Sequence, residues 1–115
     1  QIMCLFCDIR DKKIPSTIVY ENDSIYCIND IKPVAPVHVL IIPKKHFDDI
    51  IDMSSSEEGI KYIGEVTKAI SEVTKLKSLE DGFRVINNCK ENGGQTIMHA
   101  HFHLIGGTKL SERIL

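Results

Sequence analysis

The chain has 115 residues, 43% of them hydrophobic and 26% charged, with a formal net charge of -2. That length suits one domain, residues 1 to 115, which on folding buries roughly two thirds of its extended surface without needing staples. The balance describes an ordinary globular protein and argues against a disordered tail or a general nucleic-acid binder, and no apolar run approaches the ~20 residues of a membrane span.

Near the start, Cys4-Leu5-Phe6-Cys7 has a spacing that suits two thiolates on one tetrahedral metal. Zinc takes about four ligands, so the pair alone is half a site. Cys27 and Cys89 fall in apolar, strand-like runs and read as small core residues. No charged-then-apolar signal segment opens the chain, so reduced thiols and a cytoplasmic location are expected. The pairs Lys12-Lys13 and Lys44-Lys45 are isolated and read as solvated.

Thr17-Ile18-Val19-Tyr20 and Ile25-Tyr26-Cys27-Ile28 predict two short strands, joined as a hairpin by the turn-rich Glu21-Asn22-Asp23-Ser24. A proline-stiffened loop, Asp30 to Pro36, leads into a buried strand, His38-Val39-Leu40-Ile41-Ile42, stopped by Pro43. After a short turn near Phe47 to Ile51, Ser54-x-x-Glu57 and Ser55-x-x-Glu58 offer capping boxes for a helix. Ile60, Ile63, Val66, Ile70 and Val73 then recur every three or four residues, which predicts an amphipathic helix to about Lys77. Residues 82–88 and 96–105 predict strands, with Gly93-Gly94 between them permitting a tight turn or a close approach to a ligand.

The last of these strands carries the chemistry. His99, His101 and His103 fall at every second position, so a continuous strand would put them on one face, with Met98, Ala100, Phe102 and Leu104 on the other. As one metal site the row is awkward: at ~3.4 Å per residue the outer two lie about 13 Å apart, although adjacent pairs could chelate. As structural filler it is costly, because each buried imidazole needs a dedicated acceptor. As a nucleophilic site it works well: a neutral imidazole attacks through one nitrogen while the other donates its hydrogen to a fixed acceptor. Flanking histidines would hold negative oxygens, which points to a phosphorus centre.

His99-Ala100-His101-Phe102-His103-Leu104-Ile105 resembles the His-φ-His-φ-His-φ-φ signature of the histidine triad (HIT) nucleotide-binding proteins. Asn92-Gly93-Gly94-Gln95-Thr96, Gly106-Gly107 and the run Pro36 to His46 resemble the Hint branch, so that the likeness extends from Cys4 to Gly107. The resemblance implies an α+β fold: a five-stranded antiparallel sheet with one long and one short helix, dimerising into a ten-stranded sheet. It implies hydrolysis of purine nucleoside 5′-phosphoramidates or related mixed anhydrides, on AMP or GMP, through a covalent nucleotidyl-histidine. Matched by position, His101 would be the nucleophile, His103 would bind phosphate, and His38 would support the triad from the next strand. Asp30 would hold the ribose hydroxyls, and Leu5, Phe6 and Ile31 would sandwich the base. Asn88, Gly94, Gln95 and Thr96 would line the phosphate and leaving-group side.

Some HIT proteins and related hexose phosphate uridylyltransferases pair a C-x-x-C with two histidines around a structural zinc. Here those ligands would be Cys4, Cys7, His46 and His99, a reading in which His99 orients the chain and does not touch substrate. The tail from Thr108 to Leu115 lacks the Trp-Pro ending of many Hint proteins. Two other readings stay open: a Fhit-like dinucleoside polyphosphate hydrolase, and a nucleotide-binding regulatory module with incidental activity.

Overall fold

Alternation of side chains along three neighbouring strands builds both faces of the sheet. The computed structural model describes residues 4–115, and among them five antiparallel strands are ordered β1-β2-β3-β5-β4. These are β1 (Ile18–Glu21), β2 (Ile25–Asn29), β3 (Val37–Pro43), β4 (Phe83–Ile86) and β5 (Phe102–Gly106). Ile25, Cys27, Val39, Ile41, Phe102 and Leu104 point one way, into a core closed by Val66, Ala69 and Val73 of a long helix. Tyr26, Ile28, Leu40 and Ile42 point the other way and pack under Phe6 and Ile9. His38 shares that second face by alternation on β3, as His103 does on β5, where it sits opposite Leu40. Burial of each large apolar side chain contributes about 1.5–3 kcal/mol, so a sheet covered on both faces is a firm platform.

The hairpin forms where the sequence predicts it, β1 pairing β2 across residues 22–24. Asn22 closes it, its side-chain oxygen accepting from the amides of Ser24 and Ile25 at 2.8 Å each. Pro43 is the last residue of β3, opposite Ile25, and does not stop the strand ahead of itself.

Among the described residues three α-helices accompany the sheet: α1 (Leu5–Arg10), α2 (Ile50–Ser54) and α3 (Glu57–Leu76). The long helix ends as predicted, but its cap is neither Ser54 nor Ser55. Ser56 takes that place and accepts from the Gly59 amide at 3.0 Å, while Ser54 ends α2. The Ser54 and Ser55 hydroxyls are spent on the carbonyls of Ile51 and Asp52. The two helices touch at Gly59, where an added Cβ would stand 1.8 Å from the Met53 carbonyl oxygen, so only glycine fits. Ile60, expected on the buried stripe, is exposed. Helix α1 was not anticipated as a helix, and with it the sequence expectation of one short helix becomes two.

The largest departure is the start of β5. The predicted strand from Thr96 is irregular as far as His101, because Ala100 donates its amide to the Phe47 carbonyl (2.7 Å) and His99 donates to Ile97 (2.9 Å) instead of to a strand neighbour. The three histidines therefore do not form one row, and Met98 lies exposed outside the core. Similarly, β4 ends at Ile86, and Cys89 lies half-buried in the following loop and not in a strand.

Candidate active site and metal centre

Two imidazoles of the triad keep the strand alternation. His101 and His103 have ring centroids 5.2 Å apart, and His38 reaches His103 from β3. Their hydrogen bonds determine which nitrogen of each ring carries the proton. The Val34 amide can only donate, and it meets His38 Nδ1 at 3.1 Å, so that nitrogen is bare. Neutral His38 then carries its hydrogen on Nε2, which donates to His103 Nδ1 at 2.9 Å. His103 is left with its hydrogen on Nε2, ready to donate outward. His101 is oriented the opposite way: Nδ1 donates to the His99 carbonyl at 2.8 Å, so Nε2 keeps its lone pair. No buried polar side-chain atom lacks a partner among the described residues, and His101 Nε2, which has none, is therefore open to solvent. Burial pushes His101 and His103 below the usual imidazole range, which favours the neutral rings this arrangement requires.

Asp30 stands beside this pair. Its Oδ2 lies 3.4 Å from His38 Nε2, and its Oδ1 accepts from the Lys32 amide at 2.8 Å, which leaves about half of its lone pairs for a ligand. Asn87 donates to the His101 carbonyl at 3.0 Å and so holds the backbone of that residue.

His99 turns away to a second cluster. Its Nδ1 lies 3.3 Å from Cys4 Sγ and 3.6 Å from Cys7 Sγ, and His46 Nδ1 lies 3.4 Å from Cys7 Sγ. The edge between sulfur and nitrogen in a zinc tetrahedron is about 3.5 Å, from bonds of about 2.3 and 2.05 Å. All four donor atoms lie within 4.8 Å of one another. The far nitrogens are anchored: His99 Nε2 to the Pro43 carbonyl at 2.8 Å, and His46 Nε2 to Asp48 Oδ1 at 3.0 Å. Those bonds put the hydrogens on Nε2 and leave both Nδ1 lone pairs facing the thiols, as a histidine must be held to bind a metal through Nδ1. Burial and the neighbouring Cys4 push the Cys7 thiol up to about 11, so a cation bound here would have to displace its proton. The donor set fits a divalent zinc ion.

Residues 11–110 match the HIT domain family. The chain belongs to that family. A 14 kDa zinc-binding protein of Zea mays is 40% identical over 108 residues, covering 93% of this chain and 84% of its own. Adenylylsulfatase HINT1 of Arabidopsis thaliana is 39% identical, with 93% and 73% covered. A HIT family hydrolase from Clostridium thermocellum superposes with a TM-score of 0.91 at 41% identity, covering 97% of this chain and 96% of that one.

Within this HIT fold the remaining expected residues are placed unequally. Leu5 is 43% exposed and Ile31 93% exposed, whereas Phe6 is 2% exposed and meets His101 edge-on at 4.9 Å. The Gln95 side chain is occupied by the protein: it accepts from the Lys90 amide and donates to the carbonyls of Asp48 and Ile97. It thereby staples the loop 90–97 to the start of α2, helped by Lys90 on Asp49 at 2.7 Å. Gly94, at φ +85°, lies against the Asn88 side chain, and Thr96 is exposed. Sequence reasoning missed Asp48, which the spacing His46-Phe47-Asp48 could have suggested. It also missed Asn87 and the Val34 amide, and a backbone donor leaves no mark in a sequence.

Proposed function

We infer that this HIT protein hydrolyses purine nucleoside 5′-phosphoramidates, of the AMP-amine or acyl-AMP type, through a covalent nucleotidyl-histidine. The observation that carries the reading is the orientation of His101, whose Nδ1–H is taken by the His99 carbonyl so that Nε2 presents a nucleophilic lone pair. Nε2 attacks the α-phosphorus, the P–N bond breaks, and the amine departs with its electron pair and takes up a proton. Water then attacks the same phosphorus and the P–Nε2 bond breaks, releasing the nucleoside monophosphate and restoring the imidazole. His103 donates Nε2–H to a phosphoryl oxygen, a bond that strengthens as charge builds there, and His38 holds that donor in place.

Asp30 accepts the ribose hydroxyls with its remaining lone pairs. Leu5 and Ile31 offer exposed apolar surface to the base. Asn88 and Gly94 border the phosphate, Gln95 fixes the loop that carries Gly94, and the Thr96 hydroxyl stands on the leaving-group side. The adenylylsulfatase of Arabidopsis supports extending the substrate class to a mixed anhydride with sulfate in place of the amine.

Cys4, Cys7, His46 and His99 hold one zinc ion. When bound it is structural, since four protein donors leave no position for water. The chain works as a homodimer through the outer edge of β4, where Phe83 and Val85 are partly exposed at the end of the sheet. Sedimentation at micromolar concentration should give twice the chain mass, and a single chain mass would refute it.

Turnover of an adenosine 5′-phosphoramidate bearing a fluorescent amine tests the chemistry. Activity in the unaltered protein that is lost in His101→Gly supports the reading. Full activity in the variant would remove His101 as nucleophile, and no turnover in either would remove the substrate class.

A further inference from the structure

We propose that Phe6, the helix that carries it and the Cys4–Cys7–His46–His99 centre together position the His101 nucleophile, so that metal occupancy sets the orientation of its ring. The proposal rests on the hydrolase reading above and adds residues to it that need not touch substrate.

Three links join the two sites. His99 works from both ends: its Nδ1 faces the thiols while its main-chain oxygen accepts His101 Nδ1–H at 2.8 Å. Whatever grips the His99 side chain therefore also fixes the acceptor that selects the tautomer of His101. The intervening Ala100 is held by its amide to the Phe47 carbonyl at 2.7 Å, one residue beyond His46. The backbone on the amino-terminal side of the nucleophile is thus tied to the loop of a second metal ligand.

The third link is Phe6, which lies between Cys4 and Cys7 in the chain. Its ring stands edge-on to both histidines, 5.8 Å from His99 and 4.9 Å from His101, with interplanar angles of 86° and 70°. Such contacts prefer one orientation, so a ring at 2% exposure acts as a wedge against rotation of His101. The wedge is only as firm as α1, whose six residues are too few to persist alone. Beyond its own packing, α1 is tied down by Tyr26 Oη donating to the Phe6 carbonyl at 2.6 Å and by Arg10 donating to the Lys44 carbonyl at 2.6 Å. The remaining anchor is at Cys4 and Cys7, and a metal there would cross-link α1 to residues 46 and 99. The helix would loosen when the cation leaves, and Phe6 and the His99 carbonyl would loosen with it.

The test compares three samples: zinc-loaded protein, reduced zinc-free protein, and zinc-loaded Phe6→Leu with its metal content measured. Nitrogen-15 imidazole spectra should show one His101 tautomer, hydrogen on Nδ1, in the loaded protein. Mixed or broadened signals are expected in the other two. For Phe6→Leu, kcat should fall about tenfold while KM stays unchanged, since orientation is lost and binding is not. An identical His101 spectrum in all three samples, or a Phe6→Leu variant that loses thermal stability but keeps both its spectrum and its kcat, would overturn the proposal. Should the zinc-free protein unfold, the loaded Phe6→Leu variant decides alone. If no phosphoramidate is turned over, the hydrolase reading fails while the ring spectra still judge the coupling.

Discussion

The cluster of Cys4, Cys7, His46 and His99 and the cluster around His101 are both built with imidazoles, yet they present opposite nitrogens. At His99 and His46, Nε2 donates to an oxygen of Pro43 or Asp48 and Nδ1 is left bare toward two sulfurs. At His101, Nδ1 donates to the His99 carbonyl and Nε2 is left bare toward solvent. The side chain is the same, and the acceptor nearest to it decides which nitrogen keeps its lone pair. His99 belongs to both clusters, its ring serving one and its backbone oxygen the other.

The sharpest way to break the contrast is to remove the Nε2 that His101 leaves open. His101→Gly should lower turnover by more than roughly 10⁴-fold. It should leave zinc content unchanged, which elemental analysis and steady-state kinetics on one preparation would check. Cutting the other side, Cys4→Ser should abolish stoichiometric zinc and lower the melting temperature by more than about 10 °C, read by calorimetry. An unchanged melting temperature would mean that the four donors hold nothing of structural weight.

A finer test reaches the tautomer relay through the backbone. Val34→Pro deletes the amide that keeps His38 Nδ1 bare, at a residue whose side chain is 73% exposed and contributes little packing. We expect kcat to fall about tenfold with zinc affinity unchanged, since His103 loses the donor that fixes its outward hydrogen. The smallest effect should come from Asp48→Ala, which removes the acceptor behind His46. Zinc affinity should fall about tenfold in a chelator competition, with turnover of the loaded protein unchanged.

Much of this site was legible without coordinates because its parts are local. The His-x-His-x-His run, the Cys-x-x-Cys pair and the alternation of β3 each lie within a few residues, where backbone geometry relates spacing directly to direction. The long helix was legible for the same reason, since Val66 and Val73 do face the core. Its cap was misread because three successive serines offer equivalent local signals, and the glycine that can approach Met53 selects Ser56 among them. Phe6, expected beside the base, is 2% exposed and stands edge-on to His101, a contact that no local spacing signals.

Determined by the sequence alone were most of the strands and the long helix, the histidines and cysteines that come together, and a resemblance strong enough to imply their roles. Tertiary structure decided where β5 begins, which ring nitrogen each histidine exposes, and the division of the three triad histidines between two centres. The physical reason is distance along the chain. A strand's faces follow from neighbouring residues, but the proton on His99 is placed by Pro43, 56 residues away, and the break before Phe102 by the carbonyl of Phe47. Acceptors that distant exist only after the sheet has assembled, and they are backbone atoms that every residue carries alike.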